Sequence, residues 1–255
     1  MVINIRTENK PTTLKIVVVT KSVEKIWIKV ADPVKINTYY IKRFANVGGE
    51  QSFFVNMPIS PQDVDVIVYN DKNGLVKNDN SFIVLEIKKL PLKTTPLIKL
   101  SKKTKSFVRF AEEFCQSAGY ILSSEKGETY KSNNGKFRID YFDVIRNKSN
   151  KTKVSTPARI SQLTGKIEIS AEAFRNFTIP DRMAILLHEY AHFYLNRVPS
   201  DESEADINGL KIYFTMGYPK ISAFNVFLNV FKKSPSMQNK ERFDVLDKFI
   251  RGINE

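Results

Sequence analysis

The chain has two histidines in 255 residues, and both stand in one short run, His188-Glu189-Tyr190-Ala191-His192. Met183, Ile185, Leu186, Leu187, Phe193 and Leu195 surround that run, so the segment is apolar nearly all round. It also carries a helix start, Thr178 with Asp181 three residues on and Pro180 in the first turn. A helix apolar on every side belongs inside a domain. Any fold of this chain must therefore bury two imidazoles and a carboxylate, each of which needs a partner. Residues four apart stack on one helical face, so both imidazoles can converge on one cation, and Glu189 lies one position round, within reach of a water on that cation. Two histidines placed at random would fall four apart in roughly one case in a hundred. Core histidines satisfied by backbone carbonyls and the neighbouring carboxylate are the competing use of the same spacing.

Catalytic zinc usually takes three protein ligands and leaves a position open. Pro199 ends the first helix, Ser200 or Asp201 can cap a second, and DESEADINGLKIYFTMG runs to a stop near Gly217. On that second helix Glu202, Ala205, Asp206, Gly209 and Tyr213 share a face, and the small Ala205 and Gly209 allow a close approach to the first helix. Glu202 is placed to reach a metal and Asp206, one turn on, to accept the outer N–H of a ligating histidine, while Glu204 points elsewhere. A shift of one residue in the helix start would bring Asp206 itself to the ion. An acidic first turn serving only the helix dipole is the other use of these residues.

HEYAH followed by ESEAD resembles the gluzincin pattern of zincin metallopeptidases, HExxH and then ExxxD or ExxAD. The resemblance covers about residues 178–213. It implies a hydrolase in which His188, His192 and Glu202 hold zinc, Glu189 is the general base and Asp206 supports a histidine ligand. Before the HEYAH helix, PARISQL and GKIEISAEAF, joined around Thr164 and Gly165, read as a hairpin or as a strand entering a helix. As a hairpin they resemble the edge strand that zincins lay along their substrate, and a peptide is expected to add beside residues 165–170. Tyr194 and Tyr213 are candidate oxyanion donors. Two departures stand out: the gap from His192 to Glu202 is short for a gluzincin, and no later histidine exists to stabilise an oxyanion. Leu195 and Val198 stand where the metzincin pattern needs Gly and His. The longer stretches ILLHEYAHFYLN and ADINGLKIYFTMGYP are similar to zincin-like proteins of Bacteroidetes-infecting, crAss-like phages. That similarity implies a virion or host-cytoplasm location and, as the alternative function, a virion connector, collar or tail component whose partners are other virion proteins.

From Thr12 to about Leu100 the period is two. TLKIVVVT, KIWIKVAD, NTYYIKRF, SFFVNMP, DVDVIVY and FIVLEIKKL predict six or seven short strands in an antiparallel β-sandwich, with Gly48 and Gly49, and Asp71, Asn73 and Gly74, in turns. Pro91 and Pro96 bracket a boundary, after which Phe107, Phe110, Ala111, Phe114 and Cys115 follow a helical period. The reading is an α+β chain with a β-sandwich-like domain at 1–96 and a zincin-like domain at 97–255. The first is a docking module or a stability domain.

Bulk properties exclude some classes. No run of about 18 apolar residues suggests a membrane span, and MVINIRTENK has no signal-peptide core. Cys115, the one cysteine, reads as a buried structural thiol. The net charge of +13 favours acidic partners, but the lysines are dispersed along the chain without a nucleic-acid-binding signature, so a protein or peptide substrate is expected rather than nucleic acid.

Overall fold

The period-two runs of the N-terminal region form strands, but fewer and longer ones than their spacing predicts. A computed structural model describes residues 1–233 and 235–253. It holds β1 (Val2–Arg6), β2 (Thr12–Ala31), β3 (Tyr39–Met57), β4 (Asp63–Asn70) and β5 (Phe82–Pro91) in one antiparallel sheet. β2 is the centre: it pairs with β3 along both its halves, with β5 over Thr12–Thr20 and with β4 over Ile26–Ala31. Two pairs of predicted strands are thus fused, into strands of 20 and 19 residues. The expected turn at Gly48 and Gly49 is instead the narrow side of a bulge, where the register jumps from Thr20↔Gly49 to Glu24↔Val47. Gly49 takes φ +79 there, a conformation that glycine adopts without strain. A bulge and a turn ask for the same residues, which is why the sequence does not separate them. The inner face is dense with β-branched and other apolar side chains, including Leu14, Ile16, Val18, Ile26, Ile28, Val30, Val64, Val66 and Val68, none of which reaches solvent.

Among the described residues six helices and a second, mixed sheet complete an α+β chain, which divides into two compact units, Met1–Thr95 and Pro96–Glu255. In the second unit α1 (Lys102–Ser117) starts on Ser101, whose side chain accepts from the Thr104 N–H, and it buries Phe107, Phe110, Phe114 and Cys115. The sheet runs β6 (Glu128–Lys131), β7 (Arg138–Phe142), β9 (Ile167–Ser170), β8 (Ala158–Ile160), with β7 and β9 parallel and the other pairs antiparallel. β8 and β9 form the expected hairpin, with Gly165 at φ +68 in its turn. β9 has neighbours on both sides, however, so the peptide expected beside residues 165–170 has no free edge there. Of the hairpin's two strands, β8 is the one at the sheet's edge.

After the short α2 (Ala171–Phe174) come α3 (Ile179–Tyr194), α4 (Glu202–Thr215), α5 (Lys220–Lys233) and α6 (Met237–Gly252). Thr178 and Asp181 close a reciprocal capping box at the start of α3. Arg182, fully buried on α3, donates to the carbonyls of Phe174, Cys115 and Arg175, which satisfies its guanidinium and ties α3 to the C-terminal turns of α1 and α2. α4 packs on α3 so closely that a Cβ built on Gly209 would lie 2.9 Å from the His188 backbone nitrogen. Among the described residues no helix is long and apolar enough to cross a membrane.

Candidate metal centre

Helical spacing on α3 brings His188 and His192 together. Their Nε2 atoms are 3.0 Å apart, and the Glu202 carboxylate at the start of α4 lies 3.4 Å from the first and 3.5 Å from the second. Donors held about 2.0–2.2 Å from one ion at the tetrahedral angle stand roughly 3.3–3.5 Å from each other. The two histidine–carboxylate separations, each to a different Glu202 oxygen, match that spacing, and the Nε2–Nε2 separation is shorter. The three groups converge closely enough that they can hold a metal ion.

Each ligand is oriented by a neighbour. His192 Nδ1 lies 2.7 Å from the Pro199 carbonyl and donates to it, which leaves the lone pair of the neutral ring on Nε2. His188 Nδ1 lies 2.8 Å from Asp206 Oδ1, close enough for an ion contact though off the line of a ring N–H hydrogen bond. Asp206 is almost fully buried and is held in turn by Arg242 of α6, with Nε 2.9 Å from Oδ2 and Nη2 3.0 Å from Oδ1. The same Nη2 is 3.1 Å from Glu202 Oε2. Glu204 faces away, accepting from the Arg197 backbone N–H.

Three carboxylates, Glu189, Glu202 and Asp206, meet one guanidinium here. With all of them ionised and the imidazoles neutral, two negative charges remain, the charge that one divalent ion cancels. The pKa shifts report the same field. Burial disfavours the His188 imidazolium, yet Asp206 and Glu202 lift its pKa to about 10. When the two histidines are protonated, their N–H groups donate to Glu202 and drive its carboxyl well below the usual range. A metal ion and the His188 proton are alternative positive charges for the same point, so metal uptake displaces protons.

Glu189, 7% exposed, points into the cleft beside the triad. Burial raises its pKa, while the two histidines and the Ile160 backbone N–H favour the ionised form. The cleft has a volume near 460 Å³. Edge strand β8 forms one wall, Val226 and Phe227 of α5 an apolar patch, and Gln238 and Arg242 of α6 the rim. Ser170 N–H donates to Pro157 O and Ser161 N–H to Lys166 O, so residues 157, 159 and 161 face β9. By alternation the peptide groups of Ala158 and Ile160 point away from β9 along the free edge.

Neither tyrosine considered as an oxyanion donor lines this cleft. Tyr213 is buried and donates to the Pro219 carbonyl. Tyr194 stacks on Tyr190 on the α1 side of α3, because positions 190 and 194 lie across the helix from 188 and 192. Sequence reasoning did not anticipate Arg242, the Pro199 carbonyl or the Ile160 N–H. Arg242 lies 36 residues beyond its partner, in a helix whose other side chains give no local signal, and two of the three are backbone groups that any residue type supplies.

No protein-family model matches the sequence, and neither a curated protein nor a solved structure matches it.

Proposed function

We propose that this chain is a zinc-dependent metallopeptidase whose second unit is a zincin-like domain and whose first unit is a sandwich-like β module. The observation that carries the reading is the convergence of His188, His192 and Glu202 with Glu189 beside them, in a cleft walled by an unpaired strand edge. A divalent ion held by the triad supplies a Lewis acid that polarises a carbonyl and acidifies a water. Zinc suits a two-imidazole, one-carboxylate set. Glu189 takes the proton of the attacking water and passes it to the leaving amine, and the burial that raises its pKa makes it a better acceptor than a solvated carboxylate. A substrate strand lies along β8 rather than β9, using the outward peptide group of Ala158 and the Ile160 carbonyl, while the Ile160 N–H stays with Glu189. The Ala158 carbonyl already accepts from the Thr156 hydroxyl, which an incoming N–H displaces.

The test is metal content and hydrolysis in parallel. The purified chain is expected to carry about one zinc by mass spectrometry, and the double variant His188→Ala, His192→Ala none. Glu189→Gln should keep the metal and lose chelator-sensitive peptide hydrolysis. Undiminished hydrolysis in Glu189→Gln, or stoichiometric zinc in the double histidine variant, would remove the basis of the reading.

A further inference from the structure

The outer face of the first sheet gathers side chains that are scattered in sequence. The register places Trp27 of β2 directly between Phe44 of β3 and Tyr69 of β4. The three rings form one row across three adjacent strands, with centroids 5.3 and 6.1 Å apart, and the indole and phenol planes are within 10° of parallel. Lysines flank the row on both sides. Lys25 sits 4.2 Å over Phe44, and Lys29 lies over both Tyr69, at 4.8 Å, and Trp27, at 5.6 Å. Phe44 is half exposed, and the other two rings are partly open to solvent.

The charge of this face is unbalanced at a specific place. Lys25 is paired with Asp71, which also takes the indole N–H. Lys29 and Lys42, by contrast, are direct cross-strand partners on the same face, and among the described residues neither has a carboxylate in ion-pair contact. Like charges directly opposite in an antiparallel pair are destabilising. An anion bridging them removes the penalty. An anion that also presents flat aromatic faces uses the ring row: an inorganic ion has none, a peptide has them only at its own aromatic residues, and a single-stranded nucleic acid has one beside every phosphate.

We infer that this face binds single-stranded nucleic acid, with bases stacked on Phe44, Trp27 and Tyr69 and phosphates on Lys29 and Lys42. Such sites combine base–aromatic stacking with a basic track and tolerate any sequence. A duplex keeps its bases stacked on each other, so its interior faces cannot reach the row. Lys29, which covers two rings in the free protein, swings onto a phosphate when a base takes its place.

Trp27 is the only tryptophan in the chain, so tryptophan emission, excited beyond the tyrosine band, reports on this face alone. Titration of the full chain with an oligodeoxythymidylate of about 16 nucleotides is expected to quench it saturably, within the site sizes known for such platforms. Phe44→Ala and Tyr69→Ala should each weaken binding roughly 5- to 100-fold. The double variant Lys29→Gln, Lys42→Gln should flatten the dependence of log K on log salt by about 1.4, the contribution of two phosphates on a single strand. Unchanged circular dichroism and urea midpoints establish that the variants are folded. Absence of quenching overturns the inference. So does wild-type affinity in both aromatic variants, or heparin, a polyanion without bases, binding as tightly as the oligonucleotide.

Discussion

The two units solve opposite problems of burial. Met1–Thr95 fills its interior with apolar side chains and carries its charged chemistry on the outer face of the sheet. Pro96–Glu255 places Arg182, Glu189, His192 and Asp206 in its interior, each less than a tenth exposed. A β core of the first kind is sealed by hydrophobic area and tolerates changes at any one surface site. A core of the second kind holds together only while each charge keeps its partner, since an orphaned buried charge costs far more than a lost contact. The contrast is measurable within one molecule, because Trp27 fluorescence reports the first unit, and helical circular dichroism the second, which holds all the described helices.

The largest effect expected is on metal binding. Under the proposed function, Glu202→Ala removes one of the three groups that can hold the ion and should all but abolish zinc retention, whereas Asp206→Ala should weaken it roughly 10- to 100-fold, as loss of a ligand's supporting group does. Glu204→Ala should be nearly silent because Glu204 is engaged with Arg197 instead. Competition with a chelating dye ranks the three, and a larger loss for Glu204 than for Glu202 would overturn the assignment.

Arg242→Ala tests the dependence on paired charge most directly. It leaves Asp206 buried with only the His188 contact, and removal of one partner from a buried ion pair costs about 3–5 kcal/mol. The helical unfolding transition should move to lower urea while the Trp27 transition stays where it is. Equal shifts in both signals would show that the two units do not respond separately.

The third effect is pH-dependent. Burial pushes the Glu112 carboxyl from 4.5 up to about 7, against the opposing hydrogen bond from the Tyr218 hydroxyl. The native state thus holds a proton that the unfolded chain releases. The resulting stabilisation is fully present below about pH 4.5 and lost as pH climbs through about 7; the shift is worth on the order of 3 kcal/mol. Glu112→Gln should flatten the fall in helical stability between pH 5 and pH 8 relative to the parent, and leave the Trp27 transition unmoved. A parent and variant with the same pH slope would rule this group out as the cause.

The smallest effect belongs to packing. In Gly209→Ala the new methyl would meet the Leu187 and His188 backbone at 2.9–3.0 Å, and backbone cannot give way as a side-chain tip can. α4 must move off α3, at about 1–3 kcal/mol for overpacking, and Glu202 and Asp206 move with it. Weaker zinc binding alongside lower stability is expected, and full zinc affinity with a lowered midpoint would show that the triad is less dependent on helix spacing than its geometry implies.

Much of the second unit's site was legible because it is local. His188 and His192 share a face by helical period alone, Thr178 and Asp181 announce the start of α3, and Glu202, Asp206 and Gly209 fall on one face of α4 whatever that helix packs against. The first unit was legible only as strands. Period two shows that a residue is on a face but not which residues on other strands share it, so the row of Phe44, Trp27 and Tyr69 does not exist in the sequence.

By itself, then, the sequence determined elements and faces whose cause lies within four or five residues: the buried HEYAH helix, the acidic start of its partner, and the alternation that seals the β core. Only tertiary structure decided what depends on register and on distant partners. It merged four predicted strands into two, left β8 rather than β9 with a free edge, brought Arg242 to Asp206 and set Lys29 opposite Lys42. The physical reason is that local propensity is fixed by neighbours along the chain. Pairing and charge compensation are fixed by neighbours in space, and nothing in a residue's own surroundings records who those will be.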